Sequence, residues 1–176
     1  MSFEGSYPRL VREAGLQRRI LIRRAACQPC RVSHALLPDF VAHRRRDSVE
    51  AIGAALARPP TDHQARAEGL WHGVPARTVR SWSQRFRERA ELLTSGLVAL
   101  TVAWDELPDL ALGQGPATMA VAAVGAAWWA ASRRWPGRVP AAWRLANVVV
   151  GSHLLSTRTH LPWAGLTGVP QPVRGP

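Results

Sequence analysis

A mainly α-helical fold is expected for this chain, with a small N-terminal β-hairpin running into a C-x-x-C knuckle, a trihelical helix-turn-helix core and a C-terminal helical extension. Three observations predict it. Residues 62–91 read as two helices around a glycine-centred turn, the second helix bearing arginine on its free side. Upstream, two runs of branched apolar residues flanked by arginine lead into Cys27-Gln-Pro-Cys30. Downstream, apolar segments rich in alanine and tryptophan alternate with Pro/Gly turns. The 176 residues divide accordingly into a partial zinc-ribbon-like unit (1–40), the helix-turn-helix unit (41–93), an apolar helical region (94–160) and a flexible tail (161–176).

The hairpin is read from Tyr7-Pro-Arg-Leu-Val-Arg and Gln17-Arg-Arg-Ile-Leu-Ile-Arg-Arg, with turn glycine Gly15 between them. Its second strand delivers Cys27 and Cys30, whose thiolates can hold one side of a tetrahedral zinc ion. Zinc takes four ligands, and only His34 and His43 lie close downstream to complete a Cys2His2 set. A vestigial knuckle with two free or redox-active thiols, or a site completed by a partner chain, are the alternatives. A short apolar segment, Ser33 to Val41, precedes three adjacent arginines, Arg44, Arg45 and Arg46. Asp47 with Glu50 three residues on forms an N-terminal cap. Val49, Ile52 and Leu56 supply that helix's buried face, and Arg58-Pro-Pro stops it. The three expected helices span about 47–57, 62–71 and 76–93.

Two helices packed across one another need a small residue where their backbones approach, which Gly69 supplies. Gly73 can take the positive φ that ends the first helix, and Val74 drops an apolar side chain into the corner. Pro75 suits the start of the second helix because its missing N–H would have had no partner there. Val79, Trp82, Phe86 and Leu93 then recur at helical spacing as a buried stripe. The other side shows Arg77, Thr78, Ser81, Gln84, Arg85 and Glu88, with Arg80 and Arg87 on the flanks. In such motifs the N-terminal residues of the second helix reach base edges in the major groove. Arginine pairs bidentately with guanine and glutamine with adenine, so double-stranded DNA is the expected partner. The arginines at 44–46 would then touch backbone phosphates.

Charge agrees with this reading. The net charge is +11 and lysine is absent, so every ordinary cation is an arginine, whose planar fork suits phosphate. Of the 23 basic residues, 17 precede Leu92, which puts the positive field in the N-terminal half. The N-terminus carries an early Glu4 and no apolar core of signal-peptide length. The most apolar run, Ala117 to Ala131, falls short of the ~20 residues a bilayer span needs. Two cysteines do not make a secreted disulfide framework, so a cytoplasmic location is expected.

Residues 94–104 continue or restart a helix, Pro116 to Arg134 forms another with Trp128 and Trp129, and Ala141 to about Leu155 a third. Apolar on most faces, they must cover one another, the N-terminal unit or a second copy; an intramolecular pack with homodimerisation is expected, the tryptophans serving as core. Only Glu91, Asp105, Glu106 and Asp109 remain as carboxylates after the helix-turn-helix, with no strand pattern for a catalytic sheet to hold two metal ions. No phosphate-binding glycine loop, H-E-x-x-H or G-x-S-x-G occurs, so no enzymatic role is expected.

The order of hairpin, Arg-Arg-x-x-Cys-x-x-Cys, His-Ala-Leu-Leu-Pro, Arg-Arg-Arg-Asp and Gly-Val-Pro-x-Arg-Thr-Val-Arg-x-Trp resembles a family of uncharacterised bacterial proteins with a zinc-ribbon-like N-terminus and a helix-turn-helix. It is also similar to the N-terminal DNA-binding region of certain insertion-sequence transposases. The likeness covers about residues 7–93 and extends loosely to Trp143-Arg-Leu-Ala-Asn. It implies sequence-specific DNA binding, with zinc ligation on Cys27 and Cys30 and recognition on Arg77, Thr78, Arg80 and Ser81. It also implies an earlier C-x-x-C, so the chain is expected to be N-terminally truncated relative to that pattern. The expected role is a regulator or a transposase-derived accessory protein. The alternatives are a small membrane-associated protein, with the Ala117–Ala131 helix at a bilayer surface, and an inactive fragment of a mobile-element protein.

Overall fold

Branched apolar runs flanked by arginine make the start of the chain a β-ribbon, longer than the pattern alone predicts. The computed structural model describes residues 2–13, 15–29, 31–58, 70–71, 73–104, 110 and 115–156. Strand β1 (Ser2–Glu13) pairs antiparallel with β2 (Leu16–Ala26), closed at Gly15 with φ +82°, and β2 pairs with β3 (Ser33–Leu36). The order β1-β2-β3 leaves Pro8 on an edge strand, where a missing N–H costs no ladder bond. Between β2 and β3 the chain turns tightly: the Cys27 N–H donates to Val32 O at 3.0 Å and the Arg31 N–H to Cys27 O at 2.8 Å, with Arg31 at φ +53°.

This sheet overturns the mainly-α expectation. The described residues form a mixed α/β protein of five helices and a three-stranded antiparallel sheet, not a helical protein with a small hairpin attached. Arginine pairs flank a short apolar run, Arg18-Arg19 and Arg23-Arg24 about Ile20-Leu21-Ile22, in a ribbon that satisfies its backbone by cross-strand pairing and leaves most side chains wet. The knuckle expected within that class lacks support, since Cys30 lies outside the described residues.

The ribbon is clamped near its tip. The Arg12 N–H donates to Arg46 O at 2.6 Å, the Ser48 N–H donates to Arg12 O at 2.8 Å, and Arg12 Nη2 meets Asp47 Oδ2 at 3.0 Å. Asp47 is therefore spent on Arg12 and is 3% exposed, so the cap expected of it falls to Ser48, whose Oγ accepts from the Ala51 N–H at 3.2 Å. Helix α1 (Val49–Ala57) follows, with Val49, Ile52 and Leu56 buried as their spacing requires. Glu50, free of any capping role, accepts from Arg144 Nε.

The expected trihelical core is corrected at its centre. Leu70–Trp71, assigned to the end of a helix, is a strand (β4) paired with Val74–Pro75 (β5) across Gly73 at φ +77°, while 62–69 lie outside the described residues. Pro75 is the residue before the next helix, extended at ψ 132°. Helix α2 (Ala76–Arg87) ends at Glu88–Arg89 and does not run to 93. The Arg89 N–H closes a shorter loop to Phe86 O at 3.0 Å, and α3 (Ala90–Ala103) restarts in a new direction with Ala90, Leu93 and Leu97 buried.

Helix α4 (Pro116–Arg134) opens with proline at its first position and buries Ala120, Ala123, Val124, Ala127, Ala130 and Ala131, small side chains that let neighbouring backbones approach. Helix α5 (Ala142–Val149) is locked by Asn147, whose Nδ2 donates to Asp39 O at 2.9 Å and Val41 O at 3.2 Å. Trp143 joins the two halves of the core. It packs against the cluster holding Ile52, Val79, Trp82, Phe86 and Leu154 and against the one holding Leu97, Ala127 and Ala146. The C-terminal helices thus cover α1 and α2 within one chain. No helix among the described residues is long and apolar enough to cross a membrane.

Candidate nucleic-acid interface

Positions 77, 80, 81, 84, 85 and 88 follow an i, i+3, i+4, i+7, i+8, i+11 spacing, so in an α-helix they share one face. In α2 that face is open. Arg77, Arg80, Ser81, Gln84 and Arg85 are exposed and Thr78 is half-buried, while Val79, Trp82 and Phe86 are each 1% exposed beneath them. The inward stripe is anchored in the core: Phe86 meets the Trp143 ring edge-on, centroids 6.1 Å apart. Arg77 to Arg85 spans about 12 Å along the axis at 1.5 Å per residue, close to the width of a major groove. Two side chains are tethered locally: Gln84 Nε2 donates to Glu88 Oε1 at 3.2 Å and Arg87 Nε to Ser83 O at 3.4 Å.

The arginine triplet does not act as a uniform arm. Arg44 and Arg46 are exposed, the former at φ +57°. Arg45 turns inward, with Nη2 3.5 Å from Leu155 O, and burial followed by the nearby Arg85 charge lowers its pKa, against Asp47 which raises it. The Arg85 charge of α2 is thus near enough to be felt at Arg45. Arg9 of β1 ties the ribbon to the loop that carries these arginines by donating from Nη2 to Ala42 O at 3.0 Å and to Arg45 O. Sequence reasoning missed this role of Arg9, since nothing in its local pattern marks a contact more than thirty residues away.

Of the candidate zinc ligands, Cys27 is half-buried as a free thiol and Cys30 lies outside the described residues. His34 and His43 line one cavity together with His153, which the sequence did not connect to them. The His43 and His153 rings stack tilted at 51°, centroids 4.6 Å apart, and the backbone N–H of His43 donates to Ser152 O at 2.7 Å. Burial lowers the His43 pKa below 6.5, and His153, Arg44, Arg9 and Arg45 lower it further. Among the described residues no group of three or more His, Cys, Asp or Glu is placed to hold a metal ion.

The described residues form a mixed α/β unit that presents an arginine-lined helix, with the turn of a β-ribbon set against the turn before it. Residues 1–82, from the ribbon to Trp82 of α2, match a domain family described only as a domain of unknown function (DUF6431). No curated protein and no solved structure matches the chain.

Proposed function

We propose that this protein binds double-stranded DNA in a sequence-specific manner by inserting the exposed face of α2 into the major groove. The observation that carries the reading is the division of α2 into a sealed stripe and a free face. Val79, Trp82 and Phe86 fix the helix to the core, and Arg77, Arg80, Ser81, Gln84 and Arg85 are left to meet a ligand. Thr78, half-buried at the edge of that face, sits where a hydroxyl can meet a phosphate or a base. Arg44 and Arg46 supply phosphate contacts beside the groove. The role is that of a regulator or transposase-derived accessory protein in the bacterial cytoplasm, without catalysis of its own, and pairing of two copies would present two such helices to half-sites one turn apart. Against the membrane-surface alternative, α4 turns its alanine face into the core, although Trp129 near its arginine-flanked end is exposed.

Fluorescence anisotropy with labelled duplexes selected by the wild-type protein from a randomised library tests the reading. Selection should yield a consensus, and Arg77→Ala/Arg80→Ala should abolish preference for it, since each bidentate base contact is worth about 1–3 kcal/mol. Unchanged preference in that double variant, with the fold retained by circular dichroism, refutes the assignment of α2 as the reading helix.

A further inference from the structure

We infer that the β1–β2 ribbon is a second DNA-contacting element, a wing whose tip residues Gln17, Arg18 and Arg19 grip the phosphate backbone beside the groove that α2 enters. This rests on the α2 reading and extends it to a part of the chain that reading does not use. The tip and the start of α2 are neighbours. A Cβ built on Gly73 would stand 3.2 Å from the Gly15 Cα, so the ribbon turn lies against the turn that launches α2. Glu13 and Gly15 also line the same cleft as Val74 and Trp82.

The ribbon is held rigidly enough to act as a fixed arm. Arg12 ties it through two backbone bonds and an ion pair to residues 46–48, and Arg9 ties it to Ala42 and Arg45. Beyond those ties the tip is wet: Leu16, Gln17, Arg18 and Arg19 are all exposed, Leu16 at 75%. Because successive side chains alternate across a strand, Arg18 and Arg19 point to opposite faces, as do Arg23 and Arg24. The two pairs lie about 16 Å apart at roughly 3.3 Å per residue. A ribbon basic on both faces suits a polyanion that flanks it on either side, which is the environment between the two backbones of a duplex. Of the two carboxylates in the ribbon, Glu4 and Glu13, the second stands at the tip, its Oε2 3.6 Å from Arg18 Nη2.

The test measures salt dependence of binding and hydroxyl-radical footprints on the selected duplex for the full-length wild type, Arg18→Ala/Arg19→Ala, Glu13→Gln and Arg77→Ala/Arg80→Ala. Losing two phosphate contacts should flatten the salt slope by about 1.8, shrinking the affinity lost between about 50 and 200 mM salt roughly tenfold. Backbone protection should vanish on the flank while base preference and central protection persist. Glu13→Gln, which releases Arg18, should bind severalfold more tightly. Unchanged slope and flank protection in Arg18→Ala/Arg19→Ala overturn the wing while leaving the α2 reading intact. Absence of duplex binding by the wild type overturns both.

Discussion

Gly53 offers a direct check on how the two halves of the core meet. The Trp143 indole lies over it so closely that an added Cβ would overlap ring atoms Cγ, Cδ1 and Cδ2. In Gly53→Ala either the indole leaves its place between the two apolar clusters or α5 withdraws from α1, carrying with it the Arg144–Glu50 ion pair. Overpacking of this kind costs about 1–3 kcal/mol, and the better helix propensity of alanine returns about 0.5–1 kcal/mol. A net loss of up to about 2.5 kcal/mol should lower Tm by up to roughly 10 °C for a chain of this size. Gly125 in α4 is the internal control, with nothing within 4 Å of an added Cβ, so Gly125→Ala should gain about 0.5–1 kcal/mol and raise Tm. Thermal and urea denaturation of both variants reads the difference. A Gly53→Ala protein that gains stability as Gly125→Ala does would refute the packing of Trp143 on α1.

Three further outcomes are expected. Arg44, Arg46, Arg77, Arg80, Arg85 and Arg87 are exposed, and neutralising about six phosphates should cost affinity on the order of a thousandfold between about 50 and 200 mM salt; a flat salt response in anisotropy would contradict a phosphate-based contact. Asp47→Ala should cost about 1.5–3 kcal/mol, the worth of a hydrogen bond to a charged group, and loosen the ribbon, read as faster amide exchange in residues 9–13; unchanged exchange there would show that the backbone bonds at Arg12 suffice. The lowered pKa of His43 means that the unfolded chain binds its proton first, so this group's contribution is fully present above about pH 6.5 and is lost as pH falls toward the folded value. Urea midpoints should therefore drop below about pH 6.5, less so in His43→Gln, and identical pH profiles would exclude His43 as a cause.

Local pattern reached far at some positions and stopped short at others. The buried stripe of α2 was legible because Val79, Trp82 and Phe86 recur at the helical period and the residues between them are polar. The N-terminal hairpin was legible for the same kind of reason, though not its full length or its third strand, since pairing of β3 with β2 is a contact between segments. Asp47 shows the limit most clearly. Its position three residues before Glu50 matches a capping box, yet Arg12 from a distant strand claims the carboxylate and Ser48 takes over the cap. Likewise Leu70 and Trp71 suit a helix locally, and the short pairing across Gly73 makes them extended.

Sequence alone determined which faces are apolar, which end of the molecule is cationic, and that Gly15 and Gly73 mark turns, because periodicity, charge and freedom at positive φ are properties of a residue and its near neighbours. Tertiary structure decided that the chain is mixed α/β, that α2 stops at Arg87, that Arg45 turns inward while Arg44 and Arg46 stay out, and that the ribbon tip stands against the start of α2. Each of these depends on partners far away in the chain, and a local preference gives way to a half-buried ion pair or a sheet ladder that such partners complete.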